Sequence, residues 1–229
     1  MLNFKALLIS FLLILPLSSY AYDITDFNEN LPLAEKGDRN AQLKIGDMHY
    51  DGEGTTKNLA KALDWYLKSA DQGCAEAQFN AGYMYENGEG TKQNYSEALK
   101  WYNKAVEQNN FLAQKNLGNM YFRGKGVKQN YAKARELFTK SAEQGYEVAQ
   151  YNLGLMFYKG LGGKKDEKRT LELWKSASEK DEIGAIVGLG LLYLEGNVVR
   201  QNYQKAKEYF GIACDAGDES SCKTYRQIN

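Results

Sequence analysis

The sequence predicts an all-α solenoid, and three observations carry that prediction: a 36-residue period, small residues at fixed columns of the period, and two amphipathic stretches per period. A fixed period of this length is the signature of stacked helical repeats. Five windows, 37–72, 73–108, 109–144, 145–180 and 181–216, align without an insertion, and a partial sixth runs over 217–229. The fifth column reads Ala41, Ala77, Ala113, Ala149 and Ala185, and the tenth reads Gly46, Gly82, Gly118, Gly154 and Gly190. One elongated domain is expected over 37–229, behind a lead-in over 22–36.

The first segment is of a different kind. Lys5 precedes an apolar run from Ala6 to Leu17 broken only by Ser10, followed by Ser19-Tyr20-Ala21. A charged start, a short apolar run and a small-x-small pattern predict a signal peptide over 1–21, cleaved after Ala21. The run is shorter than the roughly 20 residues of a spanning helix. The expectation is a periplasmic or secreted protein with no membrane insertion after cleavage. Because no Cys directly follows the apolar run, a lipid anchor is not expected.

Each window then reads as two helices. In the first, columns 5, 9 and 12 are apolar, as in Ala77, Ala81 and Met84 or Ala149, Leu153 and Met156. That i, i+4, i+7 spacing marks one helix face. Glycine inside a helix costs about 1 kcal/mol, so the tenth-column glycine implies a close neighbour. A turn such as Asn87-Gly88-Glu89-Gly90 follows. Column 22 supplies Asn58, Asn94, Asn130, Asp166 and Asn202, good N-caps for the second helix. That helix carries a small residue in column 26 (Ala62, Ala98, Ala134, Thr170, Ala206). Paired large residues follow in columns 29 and 30: Trp65-Tyr66, Trp101-Tyr102, Leu137-Phe138, Leu173-Trp174 and Tyr209-Phe210. No such pair buries both faces alone, so stacking is required.

Composition narrows the function. With 29 Lys+Arg against 29 Asp+Glu, there is no excess positive field to hold phosphates, which argues against nucleic acid as partner. No H-E-x-x-H or G-x-S-x-G occurs, and a lone histidine makes neither a metal site nor a triad. His49 shares its column with Tyr85, Tyr121, Phe157 and Tyr193 and reads as an aromatic substitute. Met48, Met84, Met120 and Met156 share one column and read as core. The Gly-x-Gly turns follow no strand and lack Gly-Lys-Ser/Thr, so they are not phosphate loops. No catalysis, cofactor or metal is expected.

The pattern A-Q-x-x-L-G-x-M-Y-x-x-G-x-G, seen at Ala113-Gln114 through Gly126, and N-Y-x-x-A-x-x-W-Y-x-K-A, seen at Asn94-Tyr95 through Ala105, resembles the Sel-1-like repeat (SLR) family, relatives of the tetratricopeptide repeats. The resemblance covers nearly all of 37–229. It implies a right-handed α/α superhelix serving as a scaffold or adaptor in protein complexes, with exported, host-contact and toxin-immunity members. Two departures put turn geometry in question: Val198 replaces the column-18 glycine, and the fourth turn carries Lys164-Lys165-Asp166-Glu167-Lys168-Arg169.

Cys214 and Cys222 are spaced C-x7-C, which looks like the disulfide arrangement of the cysteine-rich SLR proteins of helicobacters; two reduced buried thiols are the alternative. Some cysteine-rich relatives are credited with a weak penicillin-binding or β-lactamase-like activity, against which stands the presence of only one C-x7-C pair here. Cys74 lies several repeats away, too far for a disulfide, and is expected to be a partly buried free thiol, with an intermolecular bridge as the alternative.

Columns 7, 11 and 14 form a second stripe on the first helices, and in tetratricopeptide relatives the corresponding positions line the concave groove. Here they include Tyr50, Phe79, Tyr83, Phe122, Tyr151, Leu155, Tyr158 and Leu191. Aromatic residues at this density suit a protein or peptide partner. The competing reading is that a tight superhelix buries these rings between neighbours. The expected function is an exported, monomeric scaffold gripping a protein in this groove, or an immunity or host-contact protein with one dedicated partner.

Overall fold

The computed structural model describes residues 17–228, with side chains from Thr25 onward. Lys5 and the apolar run as far as Pro16, on which the signal-peptide expectation rests, lie outside the described residues. Twelve helices and no strand occur among the described residues: α1 (Leu17–Glu35), α2 (Arg39–Asp51), α3 (Leu59–Asp71), α4 (Ala75–Asn87), α5 (Tyr95–Glu107), α6 (Phe111–Arg123), α7 (Tyr131–Glu143), α8 (Glu147–Lys159), α9 (Glu167–Ser178), α10 (Ile183–Glu195), α11 (Tyr203–Asp215) and α12 (Glu219–Gln227). Each helix packs against the next from α1 to α12, making an α/α solenoid.

The repeat columns explain the pairing. The column-22 side chains of Asn58, Asn94, Asn130, Asp166 and Asn202 all accept backbone N–H bonds at the start of the second helix. The tenth-column glycine lies under the ring in column 30. A Cβ would stand 2.6 Å from Tyr66 at Gly46, 2.7 Å from Tyr102 at Gly82, and 2.5 Å from Trp174 at Gly154. The ring thus replaces the missing side chain, and the two helices close on it. Columns 5, 9 and 12 are buried in every repeat, and so are column 26 and the column-30 rings. The four column-12 methionines are core residues, and His49 packs edge-on to Phe27 at 5.6 Å.

A polar ladder ties each of the first three repeats together beneath this core. Gln42 Oε1 accepts from Gln72 Nε2 at 2.7 Å, Gln78 from Gln108 at 2.8 Å, and Gln114 from Gln144 at 2.8 Å. In the fourth repeat the donor's column holds Lys180, and the buried Gln150 Oε1 has no partner.

Both ends differ from the middle. Residues 22–36 are more than a lead-in: they belong to α1, whose Phe27, Leu31 and Ala34 cover Ala41, Ile45 and Met48. These follow the i, i+4, i+7 spacing of a buried helix face, and the helix shields the first repeat as a cap must. Cleavage after Ala21 would leave Tyr22–Glu35 to do so. At the other end Cys214 on α11 is bonded to Cys222 on α12, with Cα atoms 4.6 Å apart. Cys74 is free and half-buried. Thiol counting on the oxidised, denatured protein is expected to find one reactive cysteine; three would contradict the bridge. Reducing it should loosen α12 before α2, because a closed loop of this length restrains the unfolded chain by about 2–3 kcal/mol.

Of the two doubtful turns, the fourth keeps Gly160 and Gly162 at φ 64° and 70°, and its charged run begins α9 with Asp166 as cap. The fifth differs. Val198 is not in the left-handed region, and its side chain packs against the Trp174 cluster instead.

Candidate functional site

The stripe of columns 7, 11 and 14 lies on α2, α4, α6, α8 and α10, and none of its residues is buried. Tyr83 is 36% exposed and Leu191 42%; Tyr50, Phe79, Phe122, Tyr151, Leu155 and Tyr158 are half-buried. The half-burial has identifiable causes. Phe79 packs on Tyr102 at 6.0 Å between ring centroids, Tyr151 on Trp174 at 6.2 Å and Tyr158 on Trp174 at 5.7 Å. Tyr151 also covers Gly184, where a Cβ would meet its ring at 2.7 Å. These rings therefore lean on the column-30 core and present one side outward, whereas Tyr83 and Leu191 stand free of it.

Two hollows open along the stripe. The first, about 360 Å³, lies between α2 and α4 and includes Asp47, Tyr50, Asp51, Glu76, Phe79 and Tyr83 in its lining. The second, about 200 Å³, lies between α6 and α8 and is lined by Phe122, Tyr151 and Leu155 among others. They bring Tyr50 together with Phe79 and Tyr83, and Phe122 together with Tyr151 and Leu155; Tyr158 and Leu191 lie beyond both.

The two hollows differ in chemistry, and the column-30 residue is the reason. Tyr66 and Tyr102 pass over their glycines far enough for the hydroxyls to emerge beside the stripe. Tyr66 Oη donates to Asp47 Oδ1 at 2.8 Å, and Tyr102 Oη donates to Glu86 Oε2 at 2.9 Å. In repeats three to five that column holds Phe138, Trp174 and Phe210, which offer no hydroxyl there, and the stripe becomes mostly apolar. Burial raises the Asp47 carboxyl to about 6; the Tyr66 hydroxyl bond pulls it back down, and Glu76 and Asp51 add to the rise. Burial also raises the Tyr50 hydroxyl, helped by its bond to Glu89 at 2.7 Å. The pairing of a column-30 tyrosine with a column-11 or column-14 acid was not recognised from the sequence, because only the tyrosine recurs in register while the acid moves from column 11 (Asp47) to column 14 (Glu86). No group of three or more potential ligands that could hold a metal occurs among the described residues.

A family model described as the Sel1 repeat matches residues 39–74, 75–110, 112–146, 148–182 and 184–218, most of the chain. The chain belongs to the Sel1 repeat family. Among solved structures, a protective antigen of uropathogenic Escherichia coli with an SLR fold superposes with a TM-score of 0.83 at 33% identity, covering 88% of this chain and 43% of that one. The chain thus spans less than half of that relative. A Sel1 repeat protein of Oxalobacter formigenes gives a TM-score of 0.79 at 30% identity over 90% of this chain and 86% of its own. An immunity protein of Pseudomonas aeruginosa shares the Sel1 fold at 18% identity and a TM-score of 0.54, over 86% of this chain and 74% of that one. No curated protein matches the sequence. No described helix is long and apolar enough to cross a membrane.

Proposed function

We propose that this Sel1 repeat scaffold is exported and grips a protein or peptide in a concave groove formed by α2, α4, α6, α8 and α10, without catalysing a reaction. The observation that supports this reading is the contrast between two faces of the same helices. Columns 5, 9 and 12 are buried in every repeat, while columns 7, 11 and 14 carry large aromatic and aliphatic side chains that are nowhere buried. A row of partly exposed tyrosine, phenylalanine and leucine residues is the composition of an interface core.

The anchors furthest from the solenoid core give the cleanest test. Tyr83→Ala and Leu191→Ala should each weaken binding of a partner captured from the native organism by about 1–3 kcal/mol, the range of interface hot spots. Calorimetric titration would measure this. Melting temperatures should stay near wild type, since neither side chain fills the core. Unchanged affinity in both variants would remove the groove from the binding site.

A further inference from the structure

We propose that the hollow between α2 and α4 is a socket for an arginine or lysine side chain of the protein partner. This rests on the groove reading above and assigns that partner a basic segment at the N-terminal end of the groove.

Charge and shape both support it. Asp47, Asp51 and Glu76 line one hollow with Tyr50, Tyr66, Phe79 and Tyr83. No described basic side chain forms an ion pair with any of these three carboxylates; the pairs that do form lie elsewhere, as in Lys44–Asp26 and Lys125–Glu86. Asp47 accepts only neutral donors, Tyr66 Oη at 2.8 Å and Asn80 Nδ2 at 3.5 Å. Three acids in one partly desolvated hollow repel one another, and a cation entering among them relieves that repulsion. Lys57 Nζ already lies 5.5 Å from the Tyr50 ring centroid, so the remaining aromatic walls, Phe79 and Tyr83, add the face-on attraction of ring quadrupoles for ammonium or guanidinium. The chain shows the same preference internally: Lys68 and Lys104 lie 3.7 Å and 4.2 Å over the rings of Trp65 and Trp101. A neutral apolar ligand would leave the carboxylates desolvated and unpaired, which is costly.

The groups facing Asp47 are Tyr50 and Asp51 on its own helix, Tyr66 on α3, and Glu76 and Tyr83 on α4. None carries positive charge, so Asp47 holds a proton up to about pH 6 in the free protein. A bound cation requires the ionised form. Binding is therefore stronger above pH 6 and weakens as the pH falls through it, by roughly tenfold at pH 5 if the complex keeps Asp47 ionised there.

The test uses the whole chain, aromatic and carboxyl carbon-13 NMR, and capped pentapeptides Gly-Gly-X-Gly-Gly with X as Arg, Lys, Gln or Glu. The Arg and Lys peptides should shift the Tyr50, Phe79 and Tyr83 ring signals saturably, and Gln and Glu should not. Saturating Arg peptide should lower the Asp47 midpoint by about one unit or more, as an adjacent opposite charge does. Asp47→Asn, which keeps an acceptor for Tyr66, should weaken the Arg response at least severalfold, and Glu172→Gln on α9 should leave it intact. Equal shifts with the Gln peptide, or an Arg response unchanged by Asp47→Asn, would overturn the socket, as would no Arg response at all. The groove reading is judged separately by Tyr83→Ala and Leu191→Ala against the captured partner. If those weaken binding while Asp47→Asn does not, the groove stands and the socket falls.

Discussion

Leu153→Asp is expected to unfold the centre of the solenoid at room temperature. Leu153 is 5% exposed on α8 and belongs to a cluster with Phe138, Met156 and Phe157. The substitution removes a buried aliphatic side chain, worth about 2–5 kcal/mol by truncation alone. It also places an unpaired carboxylate between helices, which adds several kcal/mol more. Since natural domains are stable by about 5–15 kcal/mol, the sum approaches the whole. Ala81→Asp, at a fully buried position on α4, should behave alike. Repeats communicate only with their neighbours, so the damage should spread outward from the mutated pair. Far-ultraviolet circular dichroism with temperature would record this as lost helicity. Tyr151→Ala, two residues from Leu153, should cost much less, about 1–2 kcal/mol, because only one face of its ring rests on Trp174. If Tyr151→Ala melts the protein as severely as Leu153→Asp, the stripe is core and the groove reading fails.

Gly90→Ala carries the second large effect, with a loss of about 3 kcal/mol or more. Gly90 sits in the turn after α4 at φ 68°, and a Cβ there would overlap the backbone of Leu59 and Ala60 at the start of α3, in the preceding repeat. The obstacle is main chain rather than a movable side chain, so the repeats themselves must shift. Gly37→Ala separates the two costs. Gly37 has φ 99° with nothing within 4 Å of its Cβ position, leaving only backbone strain of about 1–2 kcal/mol. Denaturant titration of both variants should show Gly90→Ala as clearly the worse. Equal losses would mean that the column-18 glycine serves the turn alone and not the stacking of repeats.

The repeat made most of the fold readable. A column that holds alanine or glycine in every copy reports a steric constraint imposed five times, and the burial of Ala41 through Ala185 and the ring over each tenth-column glycine follow from it. What occurs once had no such amplification. The helix over 22–35 has no second copy, and its Phe27, Leu31 and Ala34 face was passed over although the spacing is that of a helix. Column 2 was missed for a different reason. Asp38, Asn110, Glu182 and Asp218 cap the first helices there, but Cys74 and Tyr146 hold the same place without a side-chain bond, so the column looks random. The acidic character of the first hollow was legible only in space. Asp47 and Tyr66 are 19 residues apart and meet only because Gly46 lets the ring cross the helix. The stripe itself was visible as periodicity, but its half-burial depends on Trp174 and Tyr102 lying beneath it, which periodicity does not report.

The claim that the first-helix face binds the partner is tested most directly by hydroxyl-radical footprinting of the protein with and without that partner. Tyr50, Tyr83, Phe122 and Tyr158 should oxidise more slowly in the complex. Tyr203 on α11 and Tyr225 on α12, 53% and 40% exposed and outside the stripe, should oxidise at unchanged rates. Protection of Tyr203 and Ile212 on α11, with the stripe tyrosines unaffected, would place the partner on the second helices and contradict the account.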